Sequence, residues 1–178
     1  MKFLVFNSAS FNSLTFDLNN AAQLDALVTE SSLGGADALI ANLTKYRNSG
    51  GKLILYHGWS DPALTPLQTV RYYKRVVNKT SGGDIIATRR FARLFMVPGM
   101  HHCLGGPGPN IFDLLTALDT RTTTHQAPDS IVAIHFFDNV LPPAPTAFPD
   151  RTMPLCAFPE SAHFIGGNKF EATSWKCF

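Results

Sequence analysis

Two short apolar runs, Lys52 to Tyr56 (KLILY) and Phe91 to Val97 (FARLFMV), constrain this chain more than any other feature. Both are short for a helix, and neither alternates apolar with polar residues as a half-solvated strand would. Nearly continuous apolar runs of this length fit strands covered on both faces, as in a parallel sheet. Between them, Thr65-Pro66 opens a helix, with Thr65 at the N-cap and Pro66 in the first turn. That helix is expected to run to about Val77 and to be followed by a polar loop, Asn78 to Asp84. Ile131 to Phe137 reads as a third strand. Helical spacing marks Ala21 to Val28, Ala36 to Tyr46 (Leu39, Leu43 and Tyr46 recur on one face) and Asn110 to Leu118. Met1 to Phe6 (MKFLVF) reads as a strand or packed edge, and the chain from Leu141 onward as an irregular Pro-rich tail. Strand, loop, helix, repeated, predicts an α/β fold: a mostly parallel sheet with flanking helices.

The 178 residues are 45% hydrophobic, enough for a core and too apolar for wholesale disorder. The net charge of +2 comes with no run of Lys and Arg, which argues against an electrostatic nucleic-acid binder. No apolar stretch is long enough to predict a transmembrane helix. The first apolar stretch stops at Asn7, too early for a secretory leader. Of three cysteines, Cys156 and Cys177 lie in the tail, where an irregular chain gains most from a covalent staple; they are expected to form a disulfide. Cys103 is then left without a partner in this chain. Two N-x-[ST] sequons, at Asn42 and Asn78, fit an oxidising, secretory compartment.

In parallel sheets the chemistry sits on loops at the carboxyl ends of strands. Asp61 lies five residues past the first run and His102 five past the second, so parallel neighbouring strands would bring them side by side. An Asp beside a His is the orienting acid and general base of a nucleophilic hydrolase. The third member is absent: there is no G-x-S-x-G, and Ser60, next to the acid, lacks the small neighbours of a nucleophile elbow. Each residue also has a plainer reading. Asp61 before Pro62 could shape a turn, His101 and His102 could be polar loop residues, His57 a hydrogen-bonded core histidine, and Cys103 a buried thiol. A metal site built from His57, His101, His102 and Cys103 is disfavoured, because adjacent histidines rarely face one ion and no spaced Cys pair supports it.

G-G-K-L-I-L-Y-H-G-W-S-D-P at 50–62, P-G-M-H-H-C-L-G-G at 98–106, R-T-M-P-L-C at 151–156 and S-W-K-C at 174–177 resemble the C-terminal part of the tannase and feruloyl esterase family. The resemblance implies a secreted serine esterase with an α/β-hydrolase core and a large lid, acting on aromatic carboxylic esters. It implies Asp61 and His102 as catalytic residues, and a disulfide from Cys103 to a cysteine beside the nucleophilic serine. It further implies that serine, oxyanion hole and most of the lid with its calcium site precede the segment seen here, leaving this chain an incomplete α/β-hydrolase fold. On that reading residues 1–50 are the end of the lid or its connection, 51–140 the core strands with the Asp and His loops, and 141–178 the stapled tail. Arg121 to Gln126 (RTTTHQ) departs from the family pattern, which puts the packing of the nearby helix in question. No other cofactor is implied.

Two functions therefore compete: an ester hydrolase whose nucleophile lies on a missing segment or partner chain, and a non-catalytic remnant acting at most as a binding or structural module. An in-frame G-C-S-x-G-like segment upstream of Met1 would decide for the first.

Overall fold

The computed structural model describes residues 5–6, 8–33, 38–139 and 146–178. The chain divides into two compact units, 1–40 and 41–178. The first contains a 3-10 turn, Ser13–Thr15, closed by the Asn12 side chain accepting from Leu14 N–H, and helix α1, Ala21–Leu33. The predicted first strand lies largely outside the described residues; Val5 and Phe6 are in a turn, with Phe6 stacked on Phe11 at 4.1 Å between ring centroids.

The second unit is built on two parallel strands, β1 (Leu53–Gly58) and β2 (Ala92–Val97), in register from Leu53 beside Ala92 to Gly58 beside Val97. Every residue of β2 is buried, as its composition predicts. β1 is only half-buried, with Tyr56 exposed, because among the described residues it pairs on one edge alone. Helix α3 (Pro66–Ser81) connects them. Val70, Tyr73, Val76, Val77 and Thr80 form its buried stripe against Ala92, Leu94 and Met96. Tyr73 is fully enclosed and donates its hydroxyl hydrogen bond to Ala92 O at 3.0 Å, which removes the cost of burying a phenol. Gly82, left-handed at φ 62°, ends the helix four residues beyond the sequence estimate. Thr65 does occupy the N-cap, though its side chain makes no capping bond.

The expected helix over 36–46 is reduced to α2, Thr44–Asn48; residues 36–37 lie outside the described set. Thr80 on α3 explains the loss. Its hydroxyl donates to Ala41 O and accepts from Leu43 N–H, holding the backbone of 41–43 in a non-helical path. Because α3 runs on to Ser81, the polar loop expected over Asn78 to Asp84 is shortened to residues 82–84, and a further short helix, α4 (Ile85–Arg89), follows at once, capped by Asp84 accepting from Ala87 N–H at 2.9 Å.

Helix α5 runs over Leu114–Thr124, four residues later than expected. The backbones of Asn110 and Ile111 are taken by Ile134, so the helix begins only where Asp113 caps Thr116 N–H. On α5, Arg121 is 1% exposed and donates to Leu53 O and Arg89 O, its aliphatic stem packed inside. The departure from the family pattern is thus accommodated by two backbone carbonyls.

The third strand, β3 (Ser130–Phe136), is present but antiparallel to β4 (Pro149–Cys156). The tail is therefore not irregular. β4 continues through Ala157, which bridges Phe95 of β2, and a small antiparallel pair follows, β5 (Ala162–Phe164) with β6 (Trp175–Cys177). Among the described residues one strand pair is parallel and two are antiparallel. Phe95, Val97, Met100, Ile131, Ala133, Leu155 and Ala157 form the second buried cluster, on the face of β2 opposite α3. Cys156 and Cys177 are disulfide-bonded with Cα atoms 5.5 Å apart, as predicted.

Candidate active site

The β1–β2 register delivers the two chemistry-bearing loops to one end of the pair. Trp59 N–H continues the ladder by donating to Val97 O at 2.9 Å, and Ser60 N–H donates to Met100 O at 3.1 Å. Gly58 makes this approach possible: any Cβ there would collide with Met100 O.

Asp61 Oδ1 accepts from the N–H groups of Ala63 and Leu64 at 2.8 and 2.9 Å, so the carboxylate does shape its own turn. Its other oxygen, Oδ2, faces two imidazoles. His102 Nδ1–H donates to it at 2.8 Å and His57 Nε2–H at 2.9 Å. The turn-forming and the acid–base readings of Asp61 are thus compatible, one per oxygen. The Asp61 side chain is 2% exposed, whereas His102 is 50% exposed. Burial pushes the Asp61 carboxyl up, but the hydrogen bonds from Leu64 N–H, the His102 ring and Ala63 N–H, with the His102 charge, outweigh it and hold the carboxyl well below the usual carboxylate range.

The tautomers follow from the acceptors. His57 Nε2 meets only oxygens that accept, Asp61 Oδ2 and Leu64 O, so it carries the hydrogen; His57 Nδ1 then accepts from the Thr69 hydroxyl at 2.6 Å. His57 is thus the hydrogen-bonded histidine foreseen in the sequence, but its partner is the acid. His102, with Nδ1–H committed to Asp61, has Nε2 as its basic atom, without a partner among the described residues. His101 makes no bond to Asp61; its N–H donates to Gly105 O, and its ring lies against Gly106.

The His102 loop, 98–109, is held from below by Asn110, which is 6% exposed. Its Oδ1 accepts from Gly105 N–H at 3.1 Å, and its Nδ2 donates to Gly108 O and to Asn139 Oδ1, each at 3.0 Å. Asn139 in turn donates to Gly106 O at 3.0 Å. Thr69, Asn110 and Asn139 went unnoticed in the sequence, where no local pattern marks them. Cys103 is exposed, unpaired and left-handed at φ 69°. Among the described residues no group of three or more His, Cys, Asp or Glu could hold a metal ion, and no helix is long and apolar enough to cross a membrane.

Comparison with known proteins bears on this geometry. The chain is 41% identical over 138 residues to mono(2-hydroxyethyl) terephthalate hydrolase of Piscinibacter sakaiensis, a match covering 78% of this chain and 21% of that protein. It is 34% identical over 107 residues to feruloyl esterase B of Aspergillus niger, covering 60% of this chain and 20% of the relative. The crystal structure of feruloyl esterase B from Aspergillus oryzae superposes with a TM-score of 0.74 at 21% identity, over 99% of this chain and 36% of the other, a likeness of fold. The chain therefore spans between a fifth and about a third of the length of these relatives. The α/β-hydrolase type of fold is shared with such esterases. The sequence profile of the family described as "Tannase and feruloyl esterase" matches residues 2–178, and the chain belongs to that family of ester hydrolases.

Proposed function

We propose that this chain supplies the acid and base of a serine esterase that cleaves aromatic carboxylic esters, with the nucleophile provided from outside the 178 residues. The observation that carries the reading is the 2.8 Å bond from His102 Nδ1–H to a buried Asp61 carboxylate, which leaves Nε2 of the half-exposed His102 side chain free to act. In the proposed reaction Nε2 takes the proton of the attacking serine hydroxyl, and the imidazolium returns it to the departing alkoxide; the same atom then activates water to release the acid. Asp61 stays ionised throughout, because its hydrogen bonds favour the charged form, and it stabilises the imidazolium. His57 and the turn amides keep the carboxylate pointed at His102. The half-buried open edge of β1 is where a further strand carrying the nucleophile would pair. Cys103, exposed next to His102, is the proposed partner of a cysteine beside that serine. The disulfide and the two exposed sequon residues, Asn42 and Asn78, support a secreted protein. The calcium site implied by the family resemblance is assigned to the lid, outside this chain.

The test is turnover of methyl gallate and methyl ferulate. Residues 1–178 alone should show none above the buffer rate, because a base and its orienting acid cannot form an acyl-enzyme. Joining a nucleophile-bearing upstream segment should create activity, and His102→Ala in that longer protein should abolish it. Activity that survives His102→Ala would refute the assignment. Serine-reagent-sensitive activity from the 178-residue chain alone would place the nucleophile within it, with Ser60 the first residue to replace. A longer protein that folds yet stays inactive would favour the non-catalytic remnant.

A further inference from the structure

The strands of the tail and the loop between β5 and β6 line an open cleft of about 590 Å³ far from Asp61 in sequence, formed by Arg151, Met153, Phe164, Gly167, Lys169, Phe170 and Trp175. Its lining combines aromatic rings with two cations. Three aromatic rings form the walls: Phe164 and Trp175 meet edge to face at 5.3 Å between centroids, and Phe164 and Phe170 are half-exposed. Two cations share one of these rings, with Arg151 Cζ 5.5 Å and Lys169 Nζ 5.2 Å from the Phe170 centroid.

Neither cation has a carboxylate. Among the described residues no ion pair involves Arg151 or Lys169. The acids nearby are committed elsewhere: Asp150 to His135 at 2.6 Å, and Glu171 to the Asn168 amide at 2.8 Å. Arg151 donates only a long 3.4 Å bond, to Pro107 O. Both side chains thus bring to the cleft a positive charge that no described carboxylate pairs. The hollow beside Arg89, Arg90 and Arg93 differs in this respect, since Asp129 and Glu160 already neutralise Arg89 and Arg93.

We propose that this cleft is a binding site for a small aromatic carboxylate, its ring packed among Phe164, Phe170 and Trp175 and its carboxylate against Arg151, with Lys169 adding charge. The planar guanidinium suits a carboxylate approached through two parallel bonds, and aromatic walls with a few convergent polar groups are the usual composition of a small-molecule site. The proposal does not rest on the catalytic assignment of Asp61 and His102, although an ester hydrolase releases carboxylic acids of this class.

The test uses the full chain labelled with nitrogen-15, reading the Arg151 Nε–H and Trp175 Nε1–H resonances during titration with trans-cinnamate, cinnamamide and acetate. Cinnamate should shift both resonances saturably in the millimolar range; cinnamamide, without the charge, and acetate, without the ring, should each bind at least about tenfold more weakly. Arg151→Met should weaken cinnamate about tenfold or more, and Lys169→Met by a smaller factor, with dispersed spectra confirming that both variants fold. Cinnamamide binding as tightly as cinnamate would reduce the cleft to an apolar surface and overturn the proposal. Acetate binding as tightly would reduce it to a cationic patch, and an absence of saturable shifts at either reporter would remove the site altogether. Because none of these readouts involves turnover, failure here leaves the Asp61–His102 reading untouched, and the converse also holds.

Discussion

Replacing Asn110 with alanine should loosen the loop that presents His102, although the two residues never touch. The Asn110 side chain makes three hydrogen bonds, accepting from Gly105 N–H and donating to Gly108 O and Asn139 Oδ1, at 3.0 to 3.1 Å. At about 1 kcal/mol net for each, with Gly108 O left buried and without its donor, the cost is about 3 kcal/mol. For a domain of this size that corresponds to a fall in Tm of about 6–12 °C. The loop is also anchored at Gly106 O by Asn139, at Met100 O by Ser60 N–H and at His102 by Asp61, but among the described residues only Asn110 ties Gly105 and Gly108 together. The loop's two internal backbone bonds, His101 N–H to Gly105 O and Gly108 N–H to Gly99 O, are 3.0 and 3.3 Å long. The assay is urea unfolding together with the proton spectrum of the His102 ring, whose Nδ1–H is held downfield by the Asp61 carboxylate. The expected result is a lower urea midpoint at unchanged slope and a broadened or lost Nδ1–H signal. Asn110→Asp keeps the acceptor for Gly105 but sets a carboxylate against Gly108 O and Asn139 Oδ1, so it should cost at least as much. A loss below about 1 kcal/mol for the alanine variant, with the His102 signal intact, would show that the glycine-rich backbone holds itself and that Asn110 is not its support.

Reduction of the Cys156–Cys177 disulfide, or the double change Cys156→Ala with Cys177→Ala, should cost about 3 kcal/mol for a closed loop of this length, read as a drop of about 6–12 °C in thermal melts; the β5–β6 amides should lose hydrogen-exchange protection first. The Asp61 carboxyl is held below its unfolded value, so its stabilising contribution is complete at neutral pH and is lost as pH falls below about 4, through the folded value. Urea midpoints measured from pH 6 to pH 2 should fall less steeply for Asp61→Asn than for the parent chain, and equal slopes would contradict the depressed pKa. In the longer, active protein Asp61→Asn should lower kcat by about 10⁴ with little change in KM, as expected for loss of the correct His102 tautomer.

The comparison of sequence with structure turns on the range over which each residue's partners lie. β1, β2 and α3 were legible because their signals are local: glycines before an apolar run, Thr-Pro at a helix start, and a buried stripe at helical spacing. Once two buried strands were placed in parallel, Asp61 and His102 had to meet at one end, and the site was half-drawn from chain order alone. The disulfide was legible for a similar reason, since a short separation in a Pro-rich tail leaves few other pairings.

What failed was decided by distant partners. The helix expected over 36–46 gave way because Thr80 takes the backbone groups of Ala41 and Leu43. The start of α5 moved because Ile134 takes those of Asn110 and Ile111. The tail looked shapeless because its prolines hide strands that exist only by pairing with β3, β2 and one another. Likewise, the sequence by itself determined that a carboxylate and an imidazole stand at the ends of neighbouring strands. Only the tertiary structure decided that His57 and Thr69 buttress Asp61, that Asn110 braces the His102 loop, and that two unpaired cations and three aromatic rings converge on one cleft. Strand and helix signals are written within a few residues of themselves, whereas a hydrogen bond across the fold leaves no trace at either end of the sequence that makes it.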